Sequence, residues 1–249
     1  FNGDWPTGPE HRHYVERLHD VPTAITAAGA RGPVLDVGAG DAQRARRLAA
    51  LGLETVALDP SPGGFAFARA RPGGLGAGVC LVRGRGERLP FRDRTFDRVL
   101  CESALDYFAD PGLGLREMAR VVTPTGRIVI GAVNYGGLSV RLSRLLYRVA
   151  RRTGRVSPSQ HLFWDTPVPI AQAFESSYRI LLQLGGQYLH LEQALGISLG
   201  WGVPGWGDLL GRMPLTSAQA IVRQLDGLAG RVPRLADYVL TVWRPRLWE

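Results

Sequence analysis

The stretch that most constrains this chain is Pro33-Val34-Leu35-Asp36-Val37-Gly38-Ala39-Gly40-Asp41-Ala42. Val34, Leu35 and Val37 make a short apolar run of the kind that forms a buried strand. Gly38 and Gly40 then permit a tight turn and a close approach of backbone to a ligand. Beyond the turn, Ala45, Leu48 and Leu51 recur at helical spacing, so the chain passes from strand through glycine turn directly into a helix. The first N–H groups of such a helix lack partners inside it and face whatever occupies the turn. A nucleotide-like ligand suits that arrangement.

The spacing separates two ways of using such a turn. A dinucleotide site wants G-x-G-x-x-G, and its third glycine would fall on Gln43, which argues against a nicotinamide-dependent oxidoreductase. Nineteen residues after Gly40, the run Glu54 to Asp59 forms a candidate second strand that ends in an acid. A carboxylate there can accept from both ribose hydroxyls. The bland alternative for Asp59 is a turn-starting aspartate before Pro60.

Downstream, Pro62 to Arg71 is expected to be a helix and Gly78 to Val82 a third strand. Gly84-Arg85-Gly86-Glu87-Arg88-Leu89-Pro90-Phe91 and Thr95-Phe96-Asp97 follow, then a fourth strand from Asp97 to Glu102. Asp110 and Pro111 open a helix as N-cap and first residue, and Pro124 to Ile130 supplies a fifth strand. Taken with the Asp36-x-Gly38-x-Gly40 turn, this succession resembles the class I S-adenosylmethionine (SAM) methyltransferases. The resemblance is to the group that includes the ubiquinone and menaquinone biosynthesis enzymes, over about Pro33 to Ala132.

The resemblance implies a Rossmann-like α/β fold with a seven-stranded, mostly parallel sheet in the order 3-2-1-4-5-7-6. It implies helices on both faces and an inserted lid over 135–186. It also implies SAM as cofactor, with S-adenosylhomocysteine as its product. Asp36, Gly38, Ala39 and Gly40 would hold the methionine end and Asp59 the ribose. Pro60, Gly86 and Glu87 would border the adenine, and Glu102 would reach the cofactor from strand four. Two departures stand out. Arg85 replaces an acid that in relatives accepts from the adenine amino group, which a guanidinium cannot do. Asp106-Tyr107 stands where many relatives carry His.

For the acceptor side, Asp106, Tyr107 and His161 are candidate catalytic bases. Trp164, Trp201 and Trp206 are candidates for walling an apolar or aromatic substrate. Each has a plainer reading, as a brace of a turn or as packing beneath a loop. Leu138, Leu142, Leu145, Leu146 and Val149 form one helical stripe among arginines. The stripe is expected to sit in the core with its arginines in water; the competing reading is weak peripheral contact with an anionic membrane through 138–155. Pro167 to Leu184 is expected to be a helix broken by Gly185-Gly186, followed by a sixth strand including Tyr188, Leu189, Leu191 and Leu195. Thr216 to Ala229 is expected to be the final helix and Ala236 to Trp243 the last strand, hairpin-like beside the sixth.

Composition sets the outer limits. With 249 residues, 45% of them hydrophobic, the chain can bury one substantial core, so a single domain over 1–249 is expected. Lysine is absent, and the formal charge of +8 comes from arginine. No nucleic-acid partner is expected; the partner class is a small-molecule acceptor. Phe1 to Asp20 does not resemble a signal peptide, and Cys80 and Cys101 lie in apolar runs, so a cytoplasmic protein with two reduced core cysteines is expected. No metal-ligand cluster is visible. A non-catalytic, methyltransferase-like subunit that binds a partner through its basic helix is the alternative from another class.

Overall fold

In the computed structural model, the apolar run Val34–Val37 is β1, an interior strand of a seven-stranded sheet. The structure describes residues 20–70, 74–138, 178–197 and 227–246, together with 141, 142, 145, 149, 152, 224 and 225. After the glycine turn come α1 (Gln43–Ala50), β2 (Thr55–Asp59), α2 (Pro62–Ala70), β3 (Val79–Arg83) and β4 (Phe96–Glu102). A 3-10 turn (Leu105–Tyr107) leads to α3 (Pro111–Val121) and β5 (Val122–Val133). The described part closes with α4 (Tyr178–Tyr188), β6 (Leu189–Ile197), a 3-10 turn (Pro233–Leu235) and β7 (Tyr238–Pro245). The strand order is 3-2-1-4-5-7-6, as expected. β7 runs antiparallel to both β5 and β6, and the other pairings are parallel.

The local rules explain most element boundaries. Pro111 opens α3, and the Asp110 side chain caps it by accepting from the Leu113 N–H at 2.9 Å. Leu115, Met118 and Val121 on its inner face are fully buried. They join Leu35, Val99, Ile128 and Ile130 in the main core, each burial contributing about 1.5–3 kcal/mol. Arg98, 3% exposed in β4, donates to the carbonyls of Ala28 and Gly29. It thereby satisfies two carbonyls of the turn that follows the helical segment 20–27.

Several expectations need correction. Gly185 and Gly186 do not break their helix, because α4 continues through them to Tyr188. A Cβ on Gly185 would lie 2.8 Å from the Trp243 ring, so the missing side chain is the space that ring occupies. Tyr188 accordingly ends the helix and does not start the strand. Residues 178–186 lie in α4, which packs on α3 and buries Leu181 in the main core. Cys101 is buried, but Cys80 is exposed, since edge strand β3 alternates faces and leaves that one uncovered. Leu138, Leu142, Leu145 and Val149 are 42–56% exposed, so the stripe is not in the core. Periodicity gives a helix one apolar face without stating what covers it.

Candidate functional site

The glycine turn sits at the carboxyl ends of β1, β2 and β4, where open α/β sheets bind ligands. Gly38 and Gly40 both have positive φ, 73° and 55°. A Cβ on Gly38 would meet the Ala104 Cβ at 2.3 Å, whereas one on Gly40 would meet nothing within 4 Å. The first glycine thus lets the turn lie against the segment after β4, and the second leaves open space above the turn. The backbone N–H groups of Gly38 and Ala39 donate to the Leu58 carbonyl at 2.8 and 3.0 Å, which ties the turn to β2.

Asp59 completes that tie. Its Oδ2 accepts from the Gly40 N–H at 2.9 Å and its Oδ1 from the Ser61 N–H at 2.8 Å. The plain role of a turn-starting aspartate is therefore real. Yet a carboxylate has about four acceptor positions, and one on each oxygen remains for a ligand's hydroxyls.

Asp36 is 1% exposed in β1. Its carboxyl is pushed up to about 6 by burial, with the Arg44 guanidinium and the Ala45 N–H pulling the other way. Its Oδ2 is buried with no hydrogen-bond partner. An orphaned carboxylate oxygen beside a ligand turn fits a cationic group, and the methionine end of SAM carries one. Asp36, Gly38, Gly40 and Asp59 therefore fit SAM by their donor set and by the space above Gly40.

Glu102 is committed within the fold. Its Oε1 accepts from the Tyr238 hydroxyl at 2.5 Å and from the Ser103 hydroxyl at 3.0 Å, and Oε2 pairs with the Arg44 guanidinium. Arg44 and Tyr238 were not singled out from the sequence. Arg44 is the second residue of α1. Tyr238 comes from β7, far along the chain, and a Cβ on Gly131 would lie 2.5 Å from its hydroxyl. No local sequence signal marks that meeting.

The expected adenine wall lies beside β2, since the Gly84 N–H donates to the Asp59 carbonyl at 3.2 Å. Pro60 is exposed there, and its carbonyl accepts from Arg83 Nε. Glu87 Oε1 accepts from the Ala109 N–H at 2.7 Å, and a Cβ on Gly86 would lie 2.1 Å from the Phe108 ring. Phe108, also unremarked in the sequence, packs against both Gly86 and Gly114. Asp106 and Tyr107 stand in the 3-10 turn after β4. Burial, with the Asp106 charge adding to it, pushes the Tyr107 phenol up. Burial also pushes the Cys101 thiol up, with Asp36 and Asp106 adding to it. His161, Trp164, Trp201 and Trp206 lie outside the described residues.

Comparison with known proteins agrees with this geometry. Residues 35–130 match the family model described as a methyltransferase domain. The chain is 31% identical over 116 residues to the ubiquinone biosynthesis O-methyltransferase of Azorhizobium caulinodans, covering 47% of this chain and 45% of that one. It is 43% identical over 97 residues to the demethylmenaquinone methyltransferase of Mycolicibacterium vanbaalenii, covering 39% of this chain and 40% of that one. The chain thus spans about half the length of the curated relatives it matches, or less. Among solved structures, the [4+2]-cyclase SpnF shares the fold at a TM-score of 0.62 and 19% identity, over 100% of this chain and 87% of that one. Residues 35–130 are thus similar to a methyltransferase domain, and the sheet has the order that the resemblance to class I SAM-dependent methyltransferases implies.

Proposed function

We propose that the protein transfers a methyl group from SAM to a small, largely apolar or aromatic acceptor, with a quinone-like ring as the leading class. The observation that carries methyl transfer is the orphaned Asp36 oxygen beside a turn tied to Asp59. The acceptor class rests on the relatives named for ubiquinone and menaquinone chemistry.

When bound, SAM supplies an electrophilic methyl group on a sulfonium. Asp36 holds the cationic methionine end over Gly38, Ala39 and Gly40, and Asp59 takes the ribose hydroxyls. Pro60, Gly86 and Glu87 border the adenine. Since the Arg85 side chain cannot accept a hydrogen bond, backbone carbonyls near Gly86 and Glu87 read the adenine amino group. Glu102 acts at one remove, by fixing Arg44 near Asp36. The chain's main task is then to align an acceptor atom with the methyl group and to exclude water. Asp106 serves as the base. Tyr107, whose phenol stays protonated, orients the acceptor as a hydrogen-bond donor. His161, Trp164, Trp201 and Trp206 complete the acceptor side.

Calorimetry with S-adenosylhomocysteine and with NAD tests the cofactor half: binding of the first and not the second is expected. Transfer of a labelled methyl group to reduced quinones then tests the acceptor. Tight cofactor binding without transfer to any aromatic acceptor would favour the non-catalytic subunit, or a cyclase-like use of the same fold.

A further inference from the structure

A second concavity lies at the opposite edge of the sheet. Asp93 and Arg94 precede β4, Val122 begins β5, Tyr188 ends α4, and Arg246 follows β7. These residues line a cavity of about 530 Å³ at the amino ends of the parallel strands. Seven residues of β4 separate it from the glycine turn, a distance on the order of 20 Å. Arg94, Arg116, Arg120 and Arg246 all line it.

The four guanidinium groups are not equivalent. Arg120 is saturated: its donors go to both oxygens of Glu117, to Asp93, and to the carbonyls of Phe91 and Leu89. It absorbs both nearby carboxylates. Hydrogen bonds from Arg120 and from the Leu89 N–H hold the Glu117 carboxyl below its ordinary value, against the opposing effect of burial. Among the described residues, the side chains of Arg94, Arg116 and Arg246 have no carboxylate partner. Two of the three have their backbone N–H groups anchored in the fold. Arg94 adopts a left-handed φ of 55° with its N–H donating to the Arg120 carbonyl. Arg246 donates its backbone N–H to the Tyr188 carbonyl and its Nε to the Leu189 carbonyl. Four guanidinium groups lining one cavity outnumber the carboxylates of Asp93 and Glu117 beside them, and a bound anion offsets that excess.

We propose that this cavity is a second ligand site, which takes a phosphate-bearing small molecule through Arg94, Arg116 and Arg246. A phosphate ester suits it better than a carboxylate. Its oxygens match the guanidinium fork, and its second negative charge offsets more of the excess. Ala119, Val122, Pro124 and the Tyr188 ring give one wall apolar character, enough to lodge the organic part of such a molecule. The volume falls within the range of small-ligand sites. The site is separate from the cofactor turn, so the two are tested independently.

The test is calorimetry of the full chain with inorganic diphosphate at low and high salt, with S-adenosylhomocysteine titrated in parallel. Diphosphate binding that weakens with salt is expected. The Arg116→Ala/Arg246→Ala double variant should lose roughly tenfold or more of it while keeping homocysteine-ligand affinity. The Arg116→Lys/Arg246→Lys variant should recover part of the loss. If the double alanine variant melts early, Arg116→Glu gives the same reading from an exposed side chain. No diphosphate binding, or equal affinity in the variants, would overturn the site. Loss of S-adenosylhomocysteine binding alone would instead count against the proposed cofactor function.

Discussion

At the scale of single residues, Asp36 sets a pH dependence. Its folded carboxyl titrates at about 6, above its ordinary 3.8. The folded protein therefore binds more protons than the unfolded chain between those values, and stability contributed at this site falls as pH rises through that window. A cationic ligand has the opposite preference, because it needs Asp36 ionised. S-adenosylhomocysteine affinity should accordingly weaken as pH falls through about 6, and Asp36→Asn should both flatten that profile and raise the melting temperature of the free protein at pH 8. Calorimetric titrations at several pH values, with thermal melts of both forms, check this. An identical profile in the variant would place the cationic end elsewhere. For Asp59→Ala, loss of charged hydrogen bonds predicts weaker ligand affinity by roughly 1.5–3 kcal/mol. That variant also loses the Gly40 tie, so its melt should be recorded alongside.

At the scale of elements, α4 carries a paired test of two adjacent glycines. Gly185 faces the Trp243 ring, whereas a Cβ on Gly186 would meet nothing within 4 Å. Gly185→Ala should destabilise by about 1–3 kcal/mol through overpacking. Gly186→Ala should stabilise by roughly 0.5–1 kcal/mol, because glycine costs that much inside a helix. Denaturant unfolding of the two variants decides it, and equal effects would refute the packing account. Asn134 makes a comparable point about connections. It is fully buried just beyond β5; its Nδ2 donates to the carbonyls of Pro233, Arg234 and Ala236, and its Oδ1 accepts from the Tyr178 N–H. One side chain thus ties the point where the chain leaves the sheet at 134 to the start of α4 at 178 and to the turn before β7. Asn134→Ala should cost on the order of 2–4 kcal/mol by stranding these buried groups, read by the same unfolding curves.

At the scale of the whole molecule, the exposed leucines that follow β5 bear on contact with a lipid surface. No helix among the described residues is long and apolar enough to cross a membrane. Leu138, Leu142 and Leu145 are nonetheless exposed beside Arg141 and Arg152, which are exposed too. An apolar stripe flanked by guanidinium groups is the pattern of a helix lying on anionic lipid. The protein should float with anionic vesicles at low salt and release at high salt. Failure to float at either salt would leave the stripe to be covered by protein.

The sequence alone determined the parts that depend on short-range chemistry. Val34 to Ala42 specified strand, turn and helix, because apolar runs and glycine φ preferences act within a few residues. Asp110-Pro111 fixed the start of α3 for the same reason. The strand order was legible only through the resemblance that this succession of motifs carries, since periodicity does not encode neighbours. What the tertiary structure decided is each matter of distant partners. Whether Gly185 breaks a helix depended on Trp243, 58 residues later in the chain. Which group Glu102 accepts from depended on Tyr238, 136 residues away. Which cysteine is buried depended on the face of an edge strand left uncovered. Burial and charge pairing are properties of the assembled surface, and a local pattern holds no information about what will be packed against it.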